Sequence, residues 1–163
     1  MNIIKKIYHI IFNTIIIFLV IIAIISILPR FWGIKPYIVL SGSMEPNIKT
    51  GSMAYIDIRQ DPYSMHSGDI ITYQLNDSSI THRIIDETVT TVITKGDANE
   101  SPDYSPVSRQ DILGKFLFSI PYLGYLYSYI STPLFFPVLV ALFAVELIIS
   151  FIYQFFSKKE EQT

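Results

Sequence analysis

The chain is expected to be mainly β, a compact antiparallel β-sheet domain held between two membrane-spanning helices. Three observations lead there. Two nineteen-residue apolar runs, Ile10–Leu28 and Val138–Phe156, flank the middle of the 163-residue sequence. Between them lie six short segments rich in Ile, Val, Thr, Tyr and Phe, the residues that fit a pleated, half-buried strand. The breaks between those segments collect Gly, Pro, Asn, Asp and Ser, which carry turn chemistry.

The first run, "IIFNTIIIFLVIIAIISIL", holds no charge and matches the ~20 residues needed to cross the hydrocarbon core. Lys5 and Lys6 precede it, as in a signal peptide. It exceeds the roughly 7–15 residues of such a segment, however, and no small-x-small cleavage site follows "LPRFWG", so it reads as a retained anchor. A buried core helix is the other reading, and the nearly unbroken isoleucine content opposes it. The second run carries one charge, Glu146, and reads as a second span, with an interfacial or core helix as the alternative. An ionisable group inside a span is by default functional, facing another helix or a partner subunit; here it could equally mark where the span ends.

Lys and Arg are retained on the cytoplasmic side of a membrane. Lys5 and Lys6 before the first run, and Lys158 and Lys159 after the second, place both termini in the cytoplasm; Arg30 and Lys35 oppose this. The expected organisation is residues 1–29 as cytoplasmic tip and first helix, 30–132 as an extracytoplasmic β-rich domain, and 133–163 as second helix and tail.

Residues 30–132 hold eight Lys/Arg against eleven Asp/Glu, a balance of −3 with no basic cluster, which excludes a nucleic-acid partner. The absence of cysteine removes thiol catalysis, disulfides and thiolate metal sites. The three histidines, at 9, 66 and 82, are too scattered for a metal centre, and no cofactor is expected.

The expected strands are "PYIVL" (36–40), "SMAYIDI" (52–58), "IITYQL" (70–75), "SITHRIID" (79–86), "TVTTVIT" (88–94) and "ILGKFLFSI" (112–120). Aromatic residues in "RFWG" (30–33) and "IPYLGYLYSYI" (120–130) sit where the domain would meet the bilayer, a placement Tyr and Trp favour, or else serve as ordinary core.

The stretch "VLSGSMEPNIKTGSMAYI" carries three serines, Ser41, Ser43 and Ser52. A serine hydroxyl is a poor nucleophile until a base takes its proton, so a Gly-flanked serine alone says little. His9 precedes the first span, His66 lies in a loop, and His82 sits in a strand, where a base can be held still; a strand histidine is more often structural. A carboxylate would have to orient the imidazole. "KGDANESPD" offers Asp97 and Asp103, although such a loop also reads as a plain turn.

Taken in order, "SGSMEP" after a hydrophobic strand, "GDIITY", "THR", "TKGDANESPD" and "GKFLFSIPYLGY" resemble the type I signal peptidases over about residues 10–130. The similarity is closest to the branch shared by archaea, the endoplasmic reticulum and some spore-forming bacteria. The common bacterial branch has a Lys–Arg pair where this chain has His82–Arg83, so a serine–lysine dyad does not apply.

The resemblance implies the signal-peptidase and LexA-like β fold, with Ser43 as nucleophile, His82 as general base and Asp103 as acidic partner. Asp97, six residues earlier, is the alternative acid or a loop-shaping residue. It implies Ser41 as an oxyanion-hole hydroxyl, with a turn-stabilising role as the other reading, and gives Ser52 no role beyond starting a strand. The expected activity is removal of signal peptides from exported preproteins after small, Ala-x-Ala-like residues through an acyl-enzyme, with no metal. In the family the substrate lies extended beside a strand, and "KPYIVLSG" is the candidate here. Expected partners are preproteins, the lipid bilayer, and accessory membrane subunits or the secretion translocon, at the outer face of a prokaryotic plasma membrane. The alternatives are a related membrane peptidase with one client, and a non-catalytic preprotein-binding subunit.

Overall fold

A computed structural model describes residues 3–160. A first compact unit runs to Gly124 and a second from Tyr125. The first opens with helix α1 (Ile3–Ile27), which continues as a 3-10 turn, Leu28–Trp32. Pro29 stands in the first positions of that turn, where its missing N–H is no loss, and Gly33 ends it in the left-handed region (φ 69°). Among the described residues, one segment, Lys6–Trp32, is long and apolar enough to cross a membrane.

Seven strands follow: β1 (Ile34–Ile38), β2 (Met53–Asp57), β3 (Ile70–Leu75), β4 (Ser78–Glu87), β5 (Thr91–Lys95), β6 (Val107–Ser108) and β7 (Ile112–Ile120). They form one antiparallel sheet in the order β1-β2-β7-β3-β4-β5-β6, so the mainly β expectation holds. All six expected strands are present; those at 70–75 and 112–120 have the expected bounds and the other four have shifted ends. The first begins at Ile34 and stops at Ile38, leaving Val39 and Leu40 in the following loop. The fifth begins at Thr91, because Thr88 and Thr91 bond to each other and turn the chain.

Asn76 and Asp77 make the two-residue turn between β3 and β4, and Asn76 takes the positive φ (51°) that such a turn requires. The alternation of buried and exposed residues along β4 brings His82 and Ile84 to the same inner face. A bulge at Ile85 then shifts the register, since Ile84 pairs with Thr94 but Asp86 pairs with Ile93. Beneath this part of the sheet lies a core of Met65, Ile71, Tyr73, Ile84, Val92, Val107 and Ile112.

Arg109, 3% exposed, closes the far end. Its guanidinium donates to the carbonyls of Pro62, Met65 and Thr88 and to the Glu87 carboxylate, satisfying loop carbonyls that have no ladder partner. In β2, Tyr55 is fully buried, stacks on Phe118 and donates its hydroxyl to the Ile25 carbonyl at 3.2 Å, fastening the end of α1 to the strand.

The described part of the second unit is helical, comprising the rest of α2 (Leu123–Ile130) and α3 (Phe135–Glu160). The aromatic stretch 120–130 is therefore mostly helix. Residues 1, 2 and 161–163 lie outside the described residues, as do the side chains of the flanking charges Lys5, Lys158 and Lys159.

Ile84 is fully buried two residues from His82, and its truncation leaves a cavity under β4. Ile84→Ala is expected to lower unfolding free energy by about 2–5 kcal/mol, measured by denaturant titration in detergent micelles.

Candidate active site

Ser43 sits in the loop between β1 and β2, anchored by two side chains, Met44 and Ile48, that are each 1% exposed. Inside the loop, Glu45 N–H donates to Gly42 and Ile48 N–H to Met44, and the Glu45–Pro46 peptide is cis. Glu45 Oε1 accepts from the Thr50 amide (3.1 Å) and hydroxyl (2.8 Å), closing the loop on itself. Those bonds, the amide first, hold the Glu45 carboxyl below its ordinary value.

The loop after β5 presses on the same turn. Ala98 N–H donates to the Ser43 carbonyl at 2.8 Å. Gly96 allows the approach, because a Cβ there would lie 2.6 Å from the Ser43 carbonyl oxygen. Two side chains on neighbouring elements hold this second loop. Arg83 grips Asp97 with a two-pronged ion pair, Nε to Oδ1 at 2.8 Å and Nη2 to Oδ2 at 2.7 Å, and Asn47 adds a bond to Oδ2 at 2.7 Å. Arg83 first, then Asn47, hold the Asp97 carboxyl below its ordinary value against the opposing effect of burial.

His82 lies between the two loops, 7% exposed. Its Nε2 is 3.1 Å from Ser43 Oγ and its Nδ1 is 2.7 Å from Asp103 Oδ2. With Asp103 ionised, Nδ1 carries the proton and donates to it, which leaves the Nε2 lone pair facing the serine hydroxyl. Asp103 Oδ2 also accepts from Thr94 Oγ1 at 2.5 Å and from the Tyr73 hydroxyl at 3.0 Å. Burial pushes the Asp103 carboxyl up, but the bonds from His82, Thr94 and Tyr73 outweigh it and the net shift is downward. Tyr73, 2% exposed, is pushed up to about 12, mainly by burial, so its hydroxyl remains a donor at every physiological pH.

Of the expected site residues, Ser43, His82 and Asp103 come together in series. Asp97 does not reach His82's Nδ1 and is committed to Arg83. Ser41 Oγ lies 3.3 Å from Ser43 Oγ at the rim. Ser52 is fully buried just before β2, and its Oγ has no hydrogen-bond partner among the described residues. Sequence reasoning missed Thr94, Tyr73, Arg83 and Asn47 as supports. The one available signal was Tyr73 in a strand, since a buried tyrosine hydroxyl needs a partner, but its partner could not be read.

A groove of about 560 Å³ leads away from the serine, with Tyr37–Ser41 on one wall and Asp77–His82 on the other. Both walls offer unpaired backbone. β1 is an edge strand, and residues 78–82 of β4 pair only with β3, because pairing with β5 begins at Arg83.

A hydroxyl, an imidazole and a partly buried carboxylate in that order on a β scaffold is the arrangement of the serine hydrolases, which are recognised by geometry rather than by chain order. Comparison with known proteins narrows the class. The family model described as signal peptidase, peptidase S26, matches residues 11–98. The chain is 34% identical to signal peptidase I W of Bacillus subtilis (strain 168) over 131 residues, 74% of this chain and 69% of that protein. It is 32% identical to the signal peptidase complex catalytic subunit SEC11 of Verticillium alfalfae over 101 residues, 54% of this chain and 59% of that one. Against the SEC11 subunit of Zygosaccharomyces rouxii it is 32% identical over 109 residues, 58% of this chain and 64% of that one. The chain thus spans about six tenths of these SEC11 relatives. It belongs to the signal peptidase family, peptidase S26, a family of serine peptidases.

Asp57, Asp97 and Asp103 all have carboxyls held below the ordinary value of 3.8, Asp57 at about 2 through Arg59. Because the folded values are depressed, the stability they contribute is fully present above pH 3.8 and is lost as pH falls through the folded values. Thermal melts recorded from about pH 5 downward should show a shallower acid decline for Asp97→Asn than for the wild type, together with a lower melting temperature at neutral pH.

Proposed function

We propose that this chain is a membrane-anchored serine endopeptidase that removes N-terminal signal peptides from exported preproteins. The observation that carries the reading is the unbroken series Asp103 Oδ2, His82 Nδ1, His82 Nε2, Ser43 Oγ, with contacts of 2.7 and 3.1 Å. Ser43 Oγ attacks the scissile carbonyl as His82 Nε2 takes its proton. Asp103 holds the imidazole in the right tautomer and stabilises its charged form without taking the proton itself. The Ser41 hydroxyl, 3.3 Å from Ser43 Oγ, is near enough to donate to the oxyanion, a contribution of about 3 kcal/mol for one such donor. The imidazolium then protonates the leaving amine, and the acyl-enzyme on Ser43 is hydrolysed by a water that His82 deprotonates.

The groove supports an extended substrate. A peptide laid between β1 and residues 78–82 of β4 would find backbone donors and acceptors on both sides and place alternate side chains in pockets. Cleavage after small residues follows from the family resemblance.

Anchoring is supported by α1 and its surroundings. Lys6–Trp32 has the length and composition of a span, Phe31 and Trp32 at its far end are 81% and 56% exposed, and the Tyr55 hydroxyl ties Ile25 to the sheet. In this reading α3 is the second span, the β domain faces the outer side of a prokaryotic plasma membrane, and residues 30–132 form the peptidase domain. Because SEC11 relatives are named as subunits of a complex, accessory membrane subunits are included among the proposed partners.

Ser43→Ala, His82→Ala and Asp103→Ala are each expected to cut the rate on a panel of unrelated preproteins by at least about a thousandfold, and His82→Lys should not restore it. Full activity of Ser43→Ala ends the reading, and cleavage of one precursor alone points instead to a dedicated client. Trp32 is the only tryptophan, so its fluorescence reports the proposed interface directly. In vesicles of brominated lipid it should be quenched; emission equal to that in unbrominated vesicles would remove the interfacial placement.

A further inference from the structure

Three hydrogen bonds from three successive strands of the sheet converge on one atom, Asp103 Oδ2: Tyr73 Oη from β3, His82 Nδ1 from β4 and Thr94 Oγ1 from β5. Asp103 itself lies in a loop, where a free carboxylate would sample several rotamers. Its amide is held by the Thr94 carbonyl at 2.8 Å, so Thr94 grips both the backbone and the side chain of the same residue.

We infer that Tyr73 and Thr94 are positioning residues that set the orientation of the Asp103 carboxylate, and through it the aim of the His82 imidazole at Ser43. The inference rests on the proposed role of Asp103. Neither residue lies in the groove, and both are essentially inaccessible, Thr94 at 0% and Tyr73 at 2% exposure. A buried hydroxyl gains nothing from solvent, and these two find their partner in the carboxylate. The Tyr73 ring also stands edge-on to the His82 ring, with centroids 6.4 Å apart, limiting where the imidazole can swing.

By fixing Oδ2 at Nδ1 the two donors keep Nε2 aimed at Ser43, which favours proton transfer. The other carboxylate of this loop, Asp97, is committed to Arg83 on both prongs and leaves Nδ1 to Asp103.

The test uses the full-length protein in detergent micelles with a purified preprotein. Tyr73→Phe and Thr94→Val should each lower kcat roughly ten- to a hundredfold with KM nearly unchanged, the size expected for one lost bond to a charged group. The Nδ1 proton resonance of His82 should shift in the NMR spectrum, because its bond to Asp103 Oδ2 is no longer held in place. Thr94→Ser should restore most of the rate. Unchanged kcat, or a lowered kcat with the resonance unmoved, overturns the inference. An inactive Asp103→Ala beside an unaffected Tyr73→Phe overturns this inference alone, whereas an active Asp103→Ala overturns the reading of the site as well. Should Tyr73→Phe fail to fold, Thr94→Val and Thr94→Ser carry the comparison.

Discussion

The contact on which the site depends is the hydrogen bond from Ala98 N–H to the Ser43 carbonyl. It joins the loop that bears the serine to the loop that bears both aspartates. A single such bond contributes only about 1 kcal/mol net, too little to order two loops whose backbones each lose 1–2 kcal/mol of entropy per residue. The joint holds because it is surrounded. Met44 and Ile48 are almost completely buried and pin the serine loop, Arg83 and Asn47 hold Asp97 one residue before Ala98, and Gly96 removes the side chain that would block the approach. Each loop is thus the partner that fixes the other.

One loop supplies two carboxylates, and their surroundings divide the work. Asp97 faces a guanidinium that neutralises it and makes it a structural clamp. Asp103 is met by neutral hydroxyls and by His82, so its charge remains available to an imidazolium. A fixed cation beside Asp103 would cancel the field that the proposed mechanism needs, and its absence beside Asp97 would leave the loop unheld. The distinction lies in which side chain stands opposite, since both carboxyls are depressed to below the ordinary range.

Strand existence was legible because β-branched and aromatic residues alternate between turn residues, and α1 was legible because its isoleucines are nearly unbroken. The two-residue β6 is too short to have a pattern, and the aromatic stretch of α2 was read for its affinity rather than its periodicity. Spacing alone left Ser41, Ser43 and Ser52 equivalent and Asp97 and Asp103 open; "THR" and the ordered motifs separated them through resemblance. Tyr73 and Thr94 stayed out of reach for a geometric reason. Their convergence on Asp103 depends on the registers of β3 and β5 around β4, and the bulge at Ile85 changes which residues share a face.

The same registers explain why the groove is open. β4 is ten residues long but β5 covers only its second half, so the half that ends in His82 keeps a free edge. Had β5 extended to pair with residues 78–82, the sheet would close over the place where a peptide must lie. The Asn76–Asp77 turn and the end of β5 at Lys95, opposite Arg83, leave one strand's worth of backbone unpaired beside the serine. In the proposed reading that vacancy is filled by the substrate, which approaches from a membrane to which α1 binds the sheet through Tyr55. The catalytic groups and the unpaired edge are then two consequences of one strand, β4, being longer than its neighbour.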